Sequence, residues 1–320
     1  MSVPPHSPSL LTPTVPTDAA PGATLPALQT PDDAGTGVTL YPHGASLTGV
    51  RFGGCEPLLY LSPEAVLDGS KPIRGGVPVC FPWFGVHPCD PNQAKHGTVR
   101  NKTWDVVHAH AGLSPVDGGD ESNTLGFDAL LKTQTDRFAA AYRVVAESND
   151  TATGGTLQLS FHVRNSTDQP QLFELALHTY FVVGDVRQVN VTGLHGRRLI
   201  DNLADTESPM RPLRERHRFT EDREQLRFDG ECDRVYLDVP GPITLNDPVL
   251  ARTIELTQTG CPSAVVWNPH VETSKGFSDL PDNAWPGFLC IESGLIADDA
   301  VTLAPDGEHL AEITIRQQAL

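Results

Sequence analysis

A chain of 320 residues with 40 acidic and 23 basic side chains carries a formal charge of −17. Nucleic acid and anionic membrane are therefore poor partners, because a surface this acidic repels polyanions. No apolar run approaches the roughly 20 residues that span a bilayer, while 28 glycines and 28 prolines favour many turns and short strands over long helices.

Residues 1–33 hold eight prolines and eight Ser/Thr, and no Lys or Arg precedes Arg51. Such a segment lacks a secretory or mitochondrial pattern and buries little apolar surface, so it reads as a flexible tail. Residues 34–320 read as one body. The first stretch with chemistry in it is Lys71 to Gly85, where Gly75 and Gly76 follow Arg74 and prolines stand at 78 and 82. The glycines permit unusual backbone angles, and the prolines exclude a central strand. Trp83 or Phe84 could carry a sugar ring, or both could be core. Lys95-His96-Gly97-Thr98-Val99-Arg100 follows, and Arg74, Lys95, Arg100 and Lys102 form a basic island in an acidic chain. Arginine forks suit phosphate oxygens; unrelated surface cations would read the same way. His108 and His110 share a strand face without a visible third ligand, so no metal is expected.

Thr156 to Val163 alternates polar and apolar residues at period two, the mark of a half-buried strand. In Leu172 to Phe181 the same alternation puts Phe173, Leu175, Leu177 and Phe181 on an apolar face, with Glu174, Ala176, His178 and Tyr180 on the other. His178 then points into a possible groove, as a proton donor or acceptor, or simply lies on the surface. Asp233 precedes a strand and says little alone. Ala264 to Trp267 is a short apolar strand stopped by Asn268-Pro269. Glu292 closes the very apolar run from Pro286. A carboxylate there either loses hydration and becomes a usable base or faces water at the strand end. Val301 to Ile315, interrupted by Pro305-Asp306-Gly307, reads as a hairpin. These many short strands predict an all-β sandwich or barrel. The six cysteines form no Cys-x-x-Cys pair, and read as mostly buried, reduced thiols in a cytoplasmic protein.

In this order, the segments resemble the aldose 1-epimerase (galactose mutarotase-like) superfamily, and within it the glucose-6-phosphate 1-epimerase, or hexose-6-phosphate mutarotase, group. The resemblance runs from His43-Gly44-Ala45 through Pro72 to Gly85, His96 to Trp104, Leu177-His178-Thr179-Tyr180-Phe181, Val191-Thr192-Gly193-Leu194, Asp233-Arg234-Val235-Tyr236, Trp267-Asn268-Pro269 and Cys290-Ile291-Glu292. It implies a large antiparallel β-sandwich with an open concave cleft. It also implies His178 and Glu292 as the catalytic pair, Arg74 and Arg100 as substrate-binding arginines, and His96 and Asp233 as cleft residues. Lys95 stands where the family usually has Gln, and a cation there could meet a phosphate. The implied reaction interconverts α and β anomers of a hexose 6-phosphate, without cofactor, in a monomer. Glu292 would act as base at O1 and a protonated His178 as acid at O5, on opposite sides of the anomeric carbon. A neutral-sugar epimerase and a non-catalytic carbohydrate-binding protein on the same scaffold remain the alternatives.

Overall fold

The computed structural model describes residues 9–16, 22–31, 35–90, 92–113, 125–149, 153–204 and 212–320. Two large antiparallel sheets make the body. The first has nine strands, with Asp105–Leu113, Leu125–Gln134, Phe138–Ser148 and Gly154–Asn165 as a meander. It continues through Glu308–Ala319, Arg252–Thr259, Ile243–Asp247 and Asn190–Thr192, and Ser9–Leu10 pairs at its other edge. The second sheet runs Phe219–Thr220, Arg198–Asp201, Cys232–Leu237, Ser263–Asn268, Phe288–Leu295, Leu175–Leu177, Val79–Cys80, with Tyr180–Val182 also paired to Phe288–Leu295. A smaller sheet of Leu28–Gln29, Thr36–Tyr41 and Ser46–Phe52 packs Val38, Leu40, Val50 and Phe52 into the same core.

Period-two sequence is what stacks these layers. In Gly154–Asn165, Leu157, Leu159, Phe161 and Val163 are fully buried, while the residues between them face outward. From the second sheet, Leu175, Leu177, Phe181, Ala264, Val266, Leu289 and Ile291 meet them in one apolar core. The alternate residues therefore point to the second sheet's other face. There Ala176, Val235 and Val265 form one small cluster, and Tyr180, Phe288 and Cys290 another. That outer face carries the site.

Three sequence expectations change. Val301–Leu303 does not form a hairpin with Glu308–Ala319: it pairs with Gln171–Phe173, while the last strand lies between Gly154–Asn165 and Arg252–Thr259. The local pattern marks two strands around a turn, but long-range packing chooses their partners. Glu292 is not a strand end, since its strand runs to Leu295 with all eight residues buried. Asp233 lies inside Cys232–Leu237 rather than ahead of it. Within 1–33, the described residues lie against the body: Leu10 pairs with His110, Thr14 bridges Ala27, and Ala27 and Leu28 are fully buried. Four of the six thiols are buried, Cys89 is exposed, and all six are free. Among the described residues, no helix is long and apolar enough to cross a membrane.

Candidate active site

A cavity of about 890 Å³ opens on the outer face of the second sheet. Every site residue expected from the sequence lines it: Arg74, Lys95, His96, Arg100, His178, Asp233 and Glu292. The centre is set by strand register. Leu177 pairs with Ser293 and Tyr180 with Cys290, the same offset on both sides of a short break. That offset puts His178 directly across from Glu292 on the cavity face, the spacing at which cross-strand side chains touch. His178 Nε2 lies 3.2 Å from Glu292 Oε1. Within the break, His178 N–H donates to Pro78 O at 3.0 Å and Ile291 N–H donates to Thr179 O at 3.1 Å, so the backbone stays bonded on both sides.

The sequence reading put the two groups on opposite sides of a sugar carbon; the structure puts them side by side. The Glu292 side chain is 1% exposed and that of His178 12%. Glu292 Oε2 and His178 Nδ1 are buried with no hydrogen-bond partner among the described residues. Burial, and secondarily the charge of Asp233, pushes the Glu292 carboxyl well above its usual range. Burial, then His96, Arg74 and Arg100, holds the His178 imidazole well below its own. These directions favour a carboxylic acid beside a neutral imidazole, because ionising both would place two charges in a desolvated wall.

The surrounding groups are fixed in their turn. Arg74 leaves a loop whose next residues require glycine. A Cβ on Gly76, at φ +67°, would sit 2.1 Å from Leu47 O. Arg74 Nε donates to Asp279 Oδ1 at 3.1 Å, Nη1 donates to Tyr180 Oη at 3.2 Å, and the guanidinium lies over the Phe277 ring at 4.5 Å. Gly97, at φ +77°, lets the chain press on Phe81, where a Cβ would meet the carbonyl oxygen at 1.9 Å. This approach seats His96. Its Nδ1 accepts from Gly85 N–H at 3.3 Å, its ring stands edge-on to Phe84, and burial with three nearby cations pushes its pKa down to about 3. His96 is thus a neutral group whose Nε2 carries a proton to donate. Arg100 donates from Nη2 to Lys95 O at 2.8 Å, and its Nε is buried without a partner among the described residues. Asp233 Oδ1 accepts from Asn202 Nδ2 at 2.7 Å, and Arg216 Nη1 donates to Asn202 Oδ1 at 2.7 Å. Burial pushes Asp233 up to about 6.

The cavity also uses groups that sequence reasoning left without a role, chiefly Tyr180, Asn202, Trp267, Phe277 and Asp279. Tyr180 already stood on the polar side of its strand by alternation. Asp279, on an irregular segment in a chain full of acids, carried no signal. Phe84 lines the cavity, whereas Trp83 gives its Nε1–H to Ala94 O at 3.0 Å and stays outside the lining. His108 and His110 stack at 5.7 Å on the other sheet, and Arg143 holds Asp128 beside them. Among the described residues, no group of three metal-ligating side chains is present.

The aldose 1-epimerase family profile matches residues 26–316. The chain belongs to that family. A protein of Cenchrus ciliaris named "Putative glucose-6-phosphate 1-epimerase" is 32% identical over 285 residues, covering 86% of this chain and 80% of that one. A protein of Escherichia coli with the same name is 29% identical, covering 84% and 83%. The crystal structure titled as a "putative mutarotase" from Salmonella typhimurium superposes with a TM-score of 0.75 at 23% identity, covering 96% and 97% of the two chains. That likeness identifies the fold as the galactose mutarotase type.

Proposed function

We propose that this family member interconverts the α and β anomers of a hexose 6-phosphate, glucose 6-phosphate foremost, by opening and closing the pyranose ring. The observation that carries the reading is the His178–Glu292 contact of 3.2 Å on the floor of a cavity that Arg74, Lys95 and Arg100 also line. A pure carbohydrate binder has no need of a desolvated acid–base pair.

The chemistry balances with one proton. Glu292 as carboxylate takes the proton of the C1 hydroxyl, and His178 as imidazolium gives its Nε2 proton to O5 as the C1–O5 bond breaks. The pair ends as a carboxylic acid and a neutral imidazole, with the sugar as open aldehyde. Rotation about C1–C2 presents the other carbonyl face, and the same two groups return the protons as O5 closes on C1. The pair holds one transferable proton before and after, so no cofactor enters the balance. Each positioned proton transfer contributes about 10²- to 10⁴-fold. His96 Nε2–H and Asp233 would hold ring hydroxyls, and Arg74, Arg100 and Lys95 would hold the 6-phosphate. The bound dianion offsets the arginine charges that disfavour imidazolium, and so favours the reactive form of the pair. We assign the protein to the cytoplasm, acting as a monomer on this small molecule without nucleic acid. Its free thiols and acidic surface support that assignment.

The test is anomer exchange followed by NMR in glucose 6-phosphate and in glucose. The wild type should accelerate exchange of the phosphate far more than of the free sugar, and Arg74→Ala should erase much of that preference. Equal weakening of both substrates by Arg74→Ala would remove the phosphate role and favour a neutral-sugar epimerase. Sugar phosphate binding without faster exchange would favour the binder.

A further inference from the structure

Tyr180 touches both halves of the proposed machinery. Its hydroxyl accepts from Arg74 Nη1 at 3.2 Å, and its ring lies flat on the His178 imidazole, with centroids 4.7 Å apart and planes 11° from parallel. The side chain is itself fixed. It is 2% exposed, packs edge-on to Trp267 and tilted to Phe288, and belongs to a strand paired with Phe288–Leu295. Among the described residues, His178 has little else to hold its ring. Its Nδ1 has no partner, and its remaining ring contacts are edge-on, to Trp267 at 5.8 Å and His96 at 6.2 Å. A histidine with one tethered nitrogen can rotate about its side-chain bonds unless a flat surface stops it. Tyr180 supplies that surface.

We infer that Tyr180 is a positioning residue that joins anion recognition to the acid–base pair. Its ring aligns His178 Nε2 with Glu292, and its hydroxyl ties that ring to the guanidinium expected to receive the substrate's phosphate. The inference rests on the function proposed above and adds a residue and a linkage to it. An anion that pulls on Arg74 moves the donor bonded to the tyrosine hydroxyl. The tyrosine cannot shift without sliding over the imidazole, because Phe288 and Trp267 close its other sides. The residue thus gives a phosphorylated sugar an advantage in orienting His178 that a neutral sugar does not have.

The two contacts separate by substitution. Tyr180→Phe keeps the stacked ring and removes the bond to Arg74. Tyr180→Leu removes both. The experiment titrates the full-length protein with inorganic phosphate while the ring resonances of His178, assigned by their loss in His178→Gln, are followed by NMR. Calorimetry measures phosphate binding in parallel. In the wild type, phosphate should bind and shift the His178 ring signals. In Tyr180→Phe phosphate should still bind, within a few-fold in Kd, with the His178 response cut by half or more. In Tyr180→Leu the ring signals should move or broaden before any phosphate is added. With turnover as a second readout, Tyr180→Phe should lower the ratio of kcat/KM for glucose 6-phosphate over glucose by about tenfold, and Tyr180→Leu should lower kcat on both. A His178 response to phosphate that is the same in Tyr180→Phe as in the wild type, with both folded by circular dichroism, overturns the linkage alone. Phosphate that fails to bind the wild type overturns the linkage together with the phosphate reading of Arg74. Absence of anomer exchange, with the NMR coupling intact, removes only the proposed activity.

Discussion

Replacing Glu292 by Gln separates proton transfer from everything else that residue does. The amide matches the carboxyl in shape and can still hydrogen-bond His178 Nε2 across the 3.2 Å gap, so the strand pairing and cavity floor stay in place. What it cannot do is accept the proton of the C1 hydroxyl. A positioned general base contributes about 10²- to 10⁴-fold, so kcat should fall by that factor, equivalent to about 3–5 kcal/mol of barrier. Stability should move the other way. The buried carboxyl, with Oε2 lacking a partner, either ionises in an apolar wall or stays protonated above its usual range, and the amide avoids that choice. The melting temperature of Glu292→Gln should therefore equal or exceed that of the wild type. The assay is two-dimensional exchange NMR on α- and β-glucose 6-phosphate at equilibrium, with the spontaneous rate subtracted, beside a thermal melt. Exchange within threefold of wild type at unchanged Tm would show that Glu292 is not the base. A large loss of activity with a collapsed melt would show that the carboxyl is structural, and would equally refute the reasoning.

Asp233→Asn should remove a limb near pH 6 from the kcat/KM profile, because burial pushes that carboxyl up to about 6. Its folded pKa lies above the unfolded value of about 3.9. Protonation thus favours the fold at low pH, and that advantage is lost as pH rises through about 6. The Asn variant should in consequence be more stable than wild type at pH 7, by up to about 3 kcal/mol, in urea unfolding followed at both pH 4 and pH 7. Gly97→Ala, with its Cβ 1.9 Å from Phe81 O at positive φ, should unfold at a clearly lower urea concentration and lose activity in the folded fraction as His96 is displaced. Glu221→Gln should cost about 1–3 kcal/mol, since Arg223 is partly exposed and Arg234 keeps Asp201 at 2.9 Å. The nearly buried Glu221 carboxylate accepts from Tyr236 Oη at 2.7 Å and from Arg223 Nε at 2.6 Å, and Arg234 Nη1 lies 3.4 Å away. Its pKa is lowered, with these donors outweighing its burial, so the wild type's advantage over the variant should fade as the solution is acidified.

The alternation in Leu172 to Phe181 was enough to tell which side of the sheet His178 and Tyr180 would occupy, because side-chain direction along a strand is a local property. The strand at Gly154–Asn165 was legible for the same reason, and the one at Ser263–Asn268 from its short apolar run ended by Asn268-Pro269. Pairing is not local. Val301 joins Phe173 rather than the strand after its own turn, and nothing near Glu292 announces that His178 lies opposite. The composition of a segment reports its conformation, while its partners are decided by which faces must share a core. Resemblance supplied those long-range relations for His178, Glu292, Arg74 and Arg100, all of which line one cavity; Lys102 of the basic island does not. It supplied nothing for Asp279, whose role depends on the side chain of Arg74 reaching it from another part of the chain.

The offset that keeps Leu177 with Ser293 and Tyr180 with Cys290 makes turnover a gauge of how the two strands are threaded. A slip by a single residue would face the imidazole with Ile291 or Ser293, and side chains displaced by one position leave by the opposite side of the sheet. Molecules assembled with that fault would turn Leu289 and Ile291 out of the core and Glu292 into it, and would be inert as well as loosened. In a refolded preparation, specific activity would then count the correctly threaded copies.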